Sequence, residues 1–100
     1  MNRTEFESVM TKTILPQINE LRNAGQDEYA RDAEDIFANF KRVANNLNIS
    51  KERVLLTYLL KHIDGICAWV NGHKSQREKI EGRLGDAIVY ICLLWAMLED

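Results

Sequence analysis

The spacing of apolar residues along the chain predicts four helical segments. Thr4 and Glu7 form a capping box, and apolar residues recur behind them at intervals of three and four. Pro16 falls inside this pattern, so we expect it to kink the helix or to divide it, with the proline in the first turn of the second piece. The sequence Asn-Ala-Gly at residues 23–25 predicts the end of the segment.

The second segment has the clearest helical pattern. A single apolar stripe runs over more than four turns and consists of Tyr29, Ala33, Ile36, Phe37, Phe40, Val43, Ala44 and Leu47. Residues 46–49 predict a break. Ser50 then caps a third helix, roughly residues 51–71, which Asn71-Gly72 closes. This third helix is apolar over most of its circumference and keeps one narrow polar seam of Thr57, Lys61 and Asp64.

The fourth helix is predicted to begin at a capping box of Ser75 and Glu78 and to run almost to Asp100. Its first half has a polar side, but after Ile88 it is apolar all round. Such a helix must be covered on all sides, and a four-helix domain of 100 residues has little protein to spare for that. We therefore predict an all-α, four-helix bundle-like fold that is a homo-oligomer, with a second subunit on this helix.

Composition narrows the class of protein. One proline and five glycines argue against a hairpin-rich β protein, and 100 residues predict one domain. The net charge of −2 argues against a duplex nucleic-acid partner. The longest apolar run, residues 87–98, is too short to span a bilayer, and no signal peptide is recognised, so we expect a cytoplasmic protein with no membrane partner. Cys67 and Cys92 lie in apolar runs, which favours two buried thiols over a disulfide.

Acidic residues offer one kind of chemistry. Glu28, Asp32 and Asp35 recur at i, i+4 and i+7, and a second group follows with Glu78, Glu81 and Asp86. Carboxylates from two facing helices can hold Mg²⁺, which prefers oxygen ligands and keeps waters for a phosphate. The pattern alone favours the simpler interpretation, in which these are solvent-facing charges near helix N-termini.

Basic and aromatic residues offer a second kind of chemistry. Lys61, next to His62 in the third helix, could contact phosphate, as could Arg83, Lys41 and Arg42. The alternative for Lys61 is an i, i+3 ion pair with Asp64, and for His62 an ordinary hydrogen-bonded helix histidine. His62 has no partner residues for a nucleophilic triad or for a zinc site. Trp69 and Tyr58 share its side of the helix and could stack on a base or cover a subunit contact. Among the other aromatic residues, Phe37, Phe40 and Trp95 are predicted to lie in the core.

Three stretches carry a resemblance to known proteins: NFKRVANNLNIS (39–50), VLLTYLLKHIDGI (54–66) and EKIEGRLGDAIVYICLL (78–94). They resemble a group of small phage and prophage proteins over residues 28–98. That group is related to nucleotide-modification-associated domains and, more distantly, to the all-α MazG-like nucleotide pyrophosphohydrolases. The resemblance implies a dimeric or tetrameric helical bundle with a nucleotide pocket between helices.

In the enzymes of that group, ExxE and ExxD motifs hold Mg²⁺ at the triphosphate. Here Glu78 and Glu81 supply an ExxE-like element, but Arg83 replaces the first acid of the second motif, and residues 32–35 read DxxD. An arginine at that place favours direct phosphate contact. Gly82 and Gly85 would let a ligand or a neighbouring helix approach closely.

The resemblance and the residue types together give two candidate sets. The predicted ligand-binding residues are Asn39, Lys61, Glu81, Arg83, Asp86 and Tyr90, which the resemblance implies, then His62 and Asp64, which adjoin Lys61, and also Arg42 and Trp69. The candidate metal ligands, should there be a metal, are Asp32, Asp35, Glu78, Glu81 and Asp86.

Three functions remain open, in order of preference. The first is a protein that binds and sequesters a nucleotide, linear or cyclic, or a nucleotide-derived defence signal without cleaving it, needing no cofactor and working in the host cytoplasm if phage-encoded. The second is a Mg²⁺-dependent hydrolase of nucleoside triphosphates, with Glu78, Glu81 and Asp86 as catalytic residues. The third is an oligomeric interaction module with no ligand.

Overall fold

A computed structural model describes residues 1–30, 34–75 and 77–100, and in these ranges the chain is all-helical with no strand. One long helical run comprises α1 (Arg3–Val9), a π-helical turn (Met10–Ile14), α2 (Leu15–Gly25) and a second π-helical turn (Gln26–Ala30). Three further helices follow: α3 (Ala38–Leu47), α4 (Lys51–Val70) and α5 (Ile80–Glu99). The predicted all-α class is confirmed. None of the helices in the described ranges has the length and apolar character needed to cross a membrane.

The N-terminal run differs from the predicted segment at both ends. The Glu5 N–H donates to Asn2 Oδ1 at 2.8 Å, so Asn2 is the N-cap and the predicted Thr4–Glu7 capping box is wrong. Pro16 falls in the first turn of α2, as expected. The helical run does not end at residues 23–25, because the Gln26 N–H still donates to the Arg22 carbonyl and a π-helical turn carries the run on to Ala30.

The second predicted helix is shorter than its apolar stripe. Asp35 accepts a hydrogen bond from the Phe37 N–H at 2.9 Å and another from Lys41 Nζ at 2.7 Å, and α3 begins only at Ala38. A single helix of more than four turns from Tyr29 is therefore wrong, and Ala33 lies outside the described residues. The short polar side chain of Asp35 competes for backbone donors here, which favours a turn over a continuous helix.

The next boundaries agree with the sequence. Asn48 ends α3 in the left-handed region at φ 57°. Ser50 Oγ accepts the Arg53 N–H at 3.2 Å, and α4 closes at Asn71 with Gly72 at φ 103°. The fourth helix, in contrast, begins at Ile80 after Lys79, with no side-chain cap. The predicted Ser75–Glu78 capping box is wrong, since Ser75 lies outside any helix.

The core forms where α4 packs on α5 and α3 packs on α4, while α2 covers another side of α5. Leu55 is fully buried at its centre, and the predictions that Phe37 and Phe40 are core residues are confirmed. Trp95 is 68% exposed, so its predicted core position is wrong, and Met97 of the same helix is buried instead. The complete buried cluster is Phe37, Phe40, Ala44, Val54, Leu55 and Met97.

A single chain leaves much apolar surface uncovered. Its accessible area is 7517 Å², whereas a compact monomer of its mass exposes about 5,800 Å². Its radius of gyration is 15.2 Å, against about 13 Å for a compact domain of this length. Both thiols, Cys67 and Cys92, are free and exposed, so the predicted burial is wrong for the single chain. We call the exposed large apolar residues of α4 and α5 the apolar face: Leu56, Leu60, Ile63, Val70, Leu84, Ile88, Ile91, Trp95 and Leu98.

Candidate functional site

A central cavity of about 210 Å³ lies between α2, the second π-helical turn, α3, α4 and α5. Its apolar wall comes mainly from Leu21, Ile36, Phe40, Val89 and Leu93. Its polar wall consists of Arg22, Gln26, Tyr29, Asn39, Lys61, His62, Glu78, Asp86 and Tyr90. The cavity is therefore lined by two cations, two carboxamides, two phenols, a histidine and two carboxylates.

The second π-helical turn contributes Gln26 and Tyr29 to the polar wall of the cavity. Arg22, Gln26 and Tyr29 follow at i, i+4 and i+7, which places them on one side of a helical run that continues past Gly25. Inserted π-helical turns are frequent at functional sites. The close packing of α2 on α5 also depends on Gly85, because a Cβ at that position would collide with the Leu21 side chain. A Cβ at Gly82, by contrast, would meet no side chain of the described residues within 4 Å.

Three potential metal ligands meet in the cavity wall. His62 comes from α4, Asp86 from α5, and Glu78 from the connection just before α5. One ligand atom from each lies within 4.8 Å of the other two, and His62 Nε2 is 3.8 Å from Asp86 Oδ2. His62 is only 6% exposed, and its Nδ1 has no hydrogen-bond partner in the part of the chain that the structure describes.

Burial dominates the electrostatics of this wall. It raises the pKa of Asp86, against the lowering effect of His62, and the negative charge of Glu78 raises that pKa further. Burial, followed by the charge of Asp86, raises the pKa of Tyr90 to about 12. The pKa of Tyr29 is also raised, chiefly by the charge of Glu28. Tyr29 and Tyr90 therefore remain neutral hydrogen-bond donors at neutral pH.

Tyrosine rings continue the site into a second cavity of about 290 Å³, which shares Tyr29, Asn39 and Tyr90 with the first. Its remaining lining is Arg42, Val43 and Tyr58, and Arg42 Nη2 donates to the Tyr29 carbonyl at 2.7 Å. The rings of Tyr58 and Tyr90 lie 6.1 Å apart, and Tyr90 stacks on His62 at 5.6 Å and 30°. The two cavities together fall within the range of about 300–1,000 Å³ typical of small-molecule sites.

The structure brings together six of the ten predicted ligand-binding residues. Asn39, Lys61, His62, Asp86 and Tyr90 line the central cavity, and Arg42 lines the second. Asp64, Trp69, Glu81 and Arg83 line neither. The sequence did not indicate Arg22 or Gln26, because the predicted end at residue 25 hid the i, i+4, i+7 pattern that they share with Tyr29.

Each of the four remaining residues has another environment. Lys74 Nζ lies 3.4 Å from the ring centre of Trp69 and donates to its carbonyl. Glu81 borders a separate apolar cavity with Leu84 and Ile88. The Arg83 side chain lies over Gly65, where a Cβ would stand 2.6 Å from Nη1. Asp64 is exposed, and no ion pair joins it to Lys61 within the described residues.

The structure also brings together only some of the candidate metal ligands. Glu78 and Asp86 meet in the cavity wall, together with His62. Asp35 is occupied by the Phe37 N–H and by Lys41, and Glu81 borders the other cavity. Asp32 lies outside the described residues. His62, which the sequence analysis gave as a ligand-binding residue, thus meets two of the candidate metal ligands.

Fold and site define an all-helical protein with a mixed-charge, tyrosine-lined cavity between its helices. The comparisons with known protein families, with curated proteins and with solved structures give no match to this chain.

Proposed function

We propose that this chain is a nucleotide-binding protein that holds its ligand in the central cavity without cleaving it. The convergence of Lys61 and Arg22 with Tyr29 and Tyr90 carries this proposal. Cations supply charge for phosphate, and phenol rings supply surfaces on which a base can stack. The amides of Gln26 and Asn39 can hydrogen-bond to base or ribose edges. The resemblance to small phage proteins extends the proposal to sequestration of a nucleotide-derived defence signal.

The test is retention of a defined ligand panel. Purified protein is incubated with nucleoside triphosphates, cyclic oligonucleotides and cyclic ADP-ribose species, in EDTA or in Mg²⁺. The bound fraction is separated, released by heat and identified by chromatography. We expect one compound to be retained and released intact in EDTA. If no compound of the panel is retained, the proposal is overturned, and an oligomeric interaction module with no ligand becomes the preferred function.

Substitution of lysines on one helix locates the site. Lys61→Ala should weaken binding of the retained compound at least about tenfold, since a charge-assisted contact contributes about 1.5–3 kcal/mol. Lys51→Ala is the matched control, because Lys51 lies in the first turn of the same helix and pairs with Glu52 at 3.0 Å. Arg83→Ala should preserve binding if the central cavity is the site, and should abolish it if Arg83 holds phosphate as the resemblance implies.

A hydrolase is the second candidate because Glu78 and Asp86 lie together in the cavity wall. It requires the released compound to be a monophosphate, and only in samples that contain Mg²⁺. Turnover should then be lost in Asp86→Asn. Turnover lost in Glu81→Gln instead would favour the carboxylate set derived from the resemblance.

The apolar face supports a homo-oligomer. The area in excess of a compact monomer, about 1,700 Å² per chain, is comparable to what each subunit of an obligate dimer buries. Trp95, 68% exposed on α5, suits a central contact. In sedimentation equilibrium, Trp95→Glu should dissociate the wild-type oligomer, whereas Phe6→Glu, an exposed ring on α1, should not. A monomeric wild type would refute this part of the proposal.

A further inference from the structure

We propose that His62, Glu78 and Asp86 bind a divalent first-row transition-metal cation of the Mn²⁺ or Zn²⁺ type. The set differs from the carboxylate set that the sequence indicates, because it includes a histidine and omits Glu81. Ligand atoms around one such ion, with bonds of about 2.0–2.2 Å, stand about 3–4 Å apart. The ligand atoms now lie at most 4.8 Å apart, with 3.8 Å between His62 Nε2 and Asp86 Oδ2, so an ion would draw the three side chains closer together.

His62 gives an independent indication of a ligand. It is 6% exposed, and its Nδ1 is buried with no hydrogen-bond partner in the described ranges. Its Nε2 faces Asp86 Oδ2 at 3.8 Å, which is longer than a hydrogen bond. Nε2 lines the cavity side of the ring and is the nitrogen that suits a cation shared with Asp86, whereas Nδ1 points away from the carboxylates. Tyr90, stacked on the ring, holds its plane.

The charges of the cluster favour a cation as well. Two carboxylates lie beside a histidine in a partly buried wall, and one ligand atom of each of the three residues lies within 4.8 Å of the other two. Like charges at this separation oppose one another, and a divalent ion between them reverses the sign of the interaction. Lys61 lines the same cavity, and its positive charge and that of Arg83 both act on Asp86.

The donor set determines the class of ion. Mg²⁺ and Ca²⁺ prefer oxygen ligands only, whereas imidazole suits transition metals. Three protein ligands leave coordination positions open towards the cavity, as at sites where a metal meets a substrate. If the proposed function holds, a phosphate oxygen of the nucleotide is suited to such a position. This last step rests on the proposed function, while the metal site does not.

The test uses the metal alone, with the full chain freed of metal by a chelator. Mn²⁺ is titrated into the protein, and the free ion is followed by electron paramagnetic resonance. Glu78→Gln is the informative variant, because Glu78 is exposed and the change preserves its size. Glu81→Gln is the matched control, because Glu81 lies in the first turn of α5, three residues after Glu78. Circular dichroism of each variant reports whether the fold is kept.

We expect one ion per chain in the wild type, at least about tenfold weaker binding in Glu78→Gln, and unchanged binding in Glu81→Gln. Proton NMR provides a second readout within one molecule, since the chain has two histidines. Bound Mn²⁺ should broaden the ring signals of His62 at lower occupancy than those of His73. Equal broadening of both rings, equal effects of the two glutamine variants, or no uptake by the wild type would each overturn the site. Nucleotide retention in EDTA is measured separately, so a failed metal site and a failed proposed function give different results.

Discussion

Gly65 lies in the interior of α4, and its replacement by alanine tests where the Arg83 side chain lies. Helix propensity alone predicts that Gly65→Ala stabilises the helix by about 1 kcal/mol. The structure opposes this gain, because the new Cβ would stand 2.6 Å from Nη1, 2.8 Å from Cζ and 2.9 Å from Cδ of Arg83. Atoms in ordinary contact lie about 3.5–4.0 Å apart, so the Arg83 side chain must move.

The two effects can be weighed against each other. The atoms in the way belong to a flexible, partly exposed arginine side chain, so displacing them costs about 1 kcal/mol, the lower end of what overpacking typically costs. This cost offsets the gain in propensity, so Gly65→Ala should leave the free energy of unfolding of the otherwise wild-type protein nearly unchanged. In an Arg83→Ala background the obstacle is absent, and the same change should raise the free energy of unfolding by about 1 kcal/mol. The interaction energy between the two sites is then about 1 kcal/mol.

The assay is urea denaturation of the four proteins of this cycle, followed by far-UV circular dichroism. All four are compared at one protein concentration, because self-association would otherwise alter the apparent stability. Equal m values would indicate that the substitutions leave the unfolded reference unchanged. If Gly65→Ala stabilises both backgrounds equally, Arg83 does not lie over Gly65 and becomes available again as a phosphate ligand.

Three further predictions concern the core, the start of α3 and the cavity. Leu55→Ala should lower the free energy of unfolding by about 2–5 kcal/mol in urea titrations, because Leu55 is fully buried, whereas Leu47→Ala, 62% exposed, should cost far less. The hydrogen bond from Lys41 and that from the Phe37 N–H lower the pKa of Asp35, so its contribution to stability is present at neutral pH and is lost as the pH falls through that lowered pKa. In thermal melts across this acid range, Asp35→Asn should therefore lose less stability than the wild type, and an unchanged acid dependence would refute the pairing. Burial raises the pKa of Tyr90 to about 12, so Tyr90→Phe should remove the last of three tyrosine ionisations in a spectrophotometric titration; persistence of that transition would contradict its burial.

The site was predictable to the extent that its residues lie on regular helices. Lys61 and His62 of α4, and Asp86 and Tyr90 of α5, follow from helical spacing and from the resemblance, and all four line the central cavity. Arg83 shows the limit of that reasoning. It lies three residues before Asp86, yet its side chain packs across Gly65 on the neighbouring helix. Periodicity assigns a residue to a side of its own helix but cannot show which groups of another helix it meets.

Local chemistry in the sequence determined the helical class and those boundaries that depend on neighbouring residues. Ser50 caps α4, Pro16 falls in the first turn of α2, and Asn71-Gly72 closes α4, because each acts through backbone groups a few residues away. The sequence did not predict boundaries at which a side chain competes with the helix for a backbone hydrogen bond. Asp35, for example, accepts the Phe37 N–H, and α3 begins only at Ala38.

Only the tertiary structure decided which side chains share the cavity. Arg22 on α2, Lys61 on α4 and Glu78 before α5 are far apart in the sequence, and the packing of α2 against α5 and of α4 against α5 brings them to one space. The same packing leaves Trp95 exposed and buries Met97 two residues later. The physical reason is that a helix apolar on most sides has several faces of equal hydrophobicity, and the neighbouring helices select which face is buried.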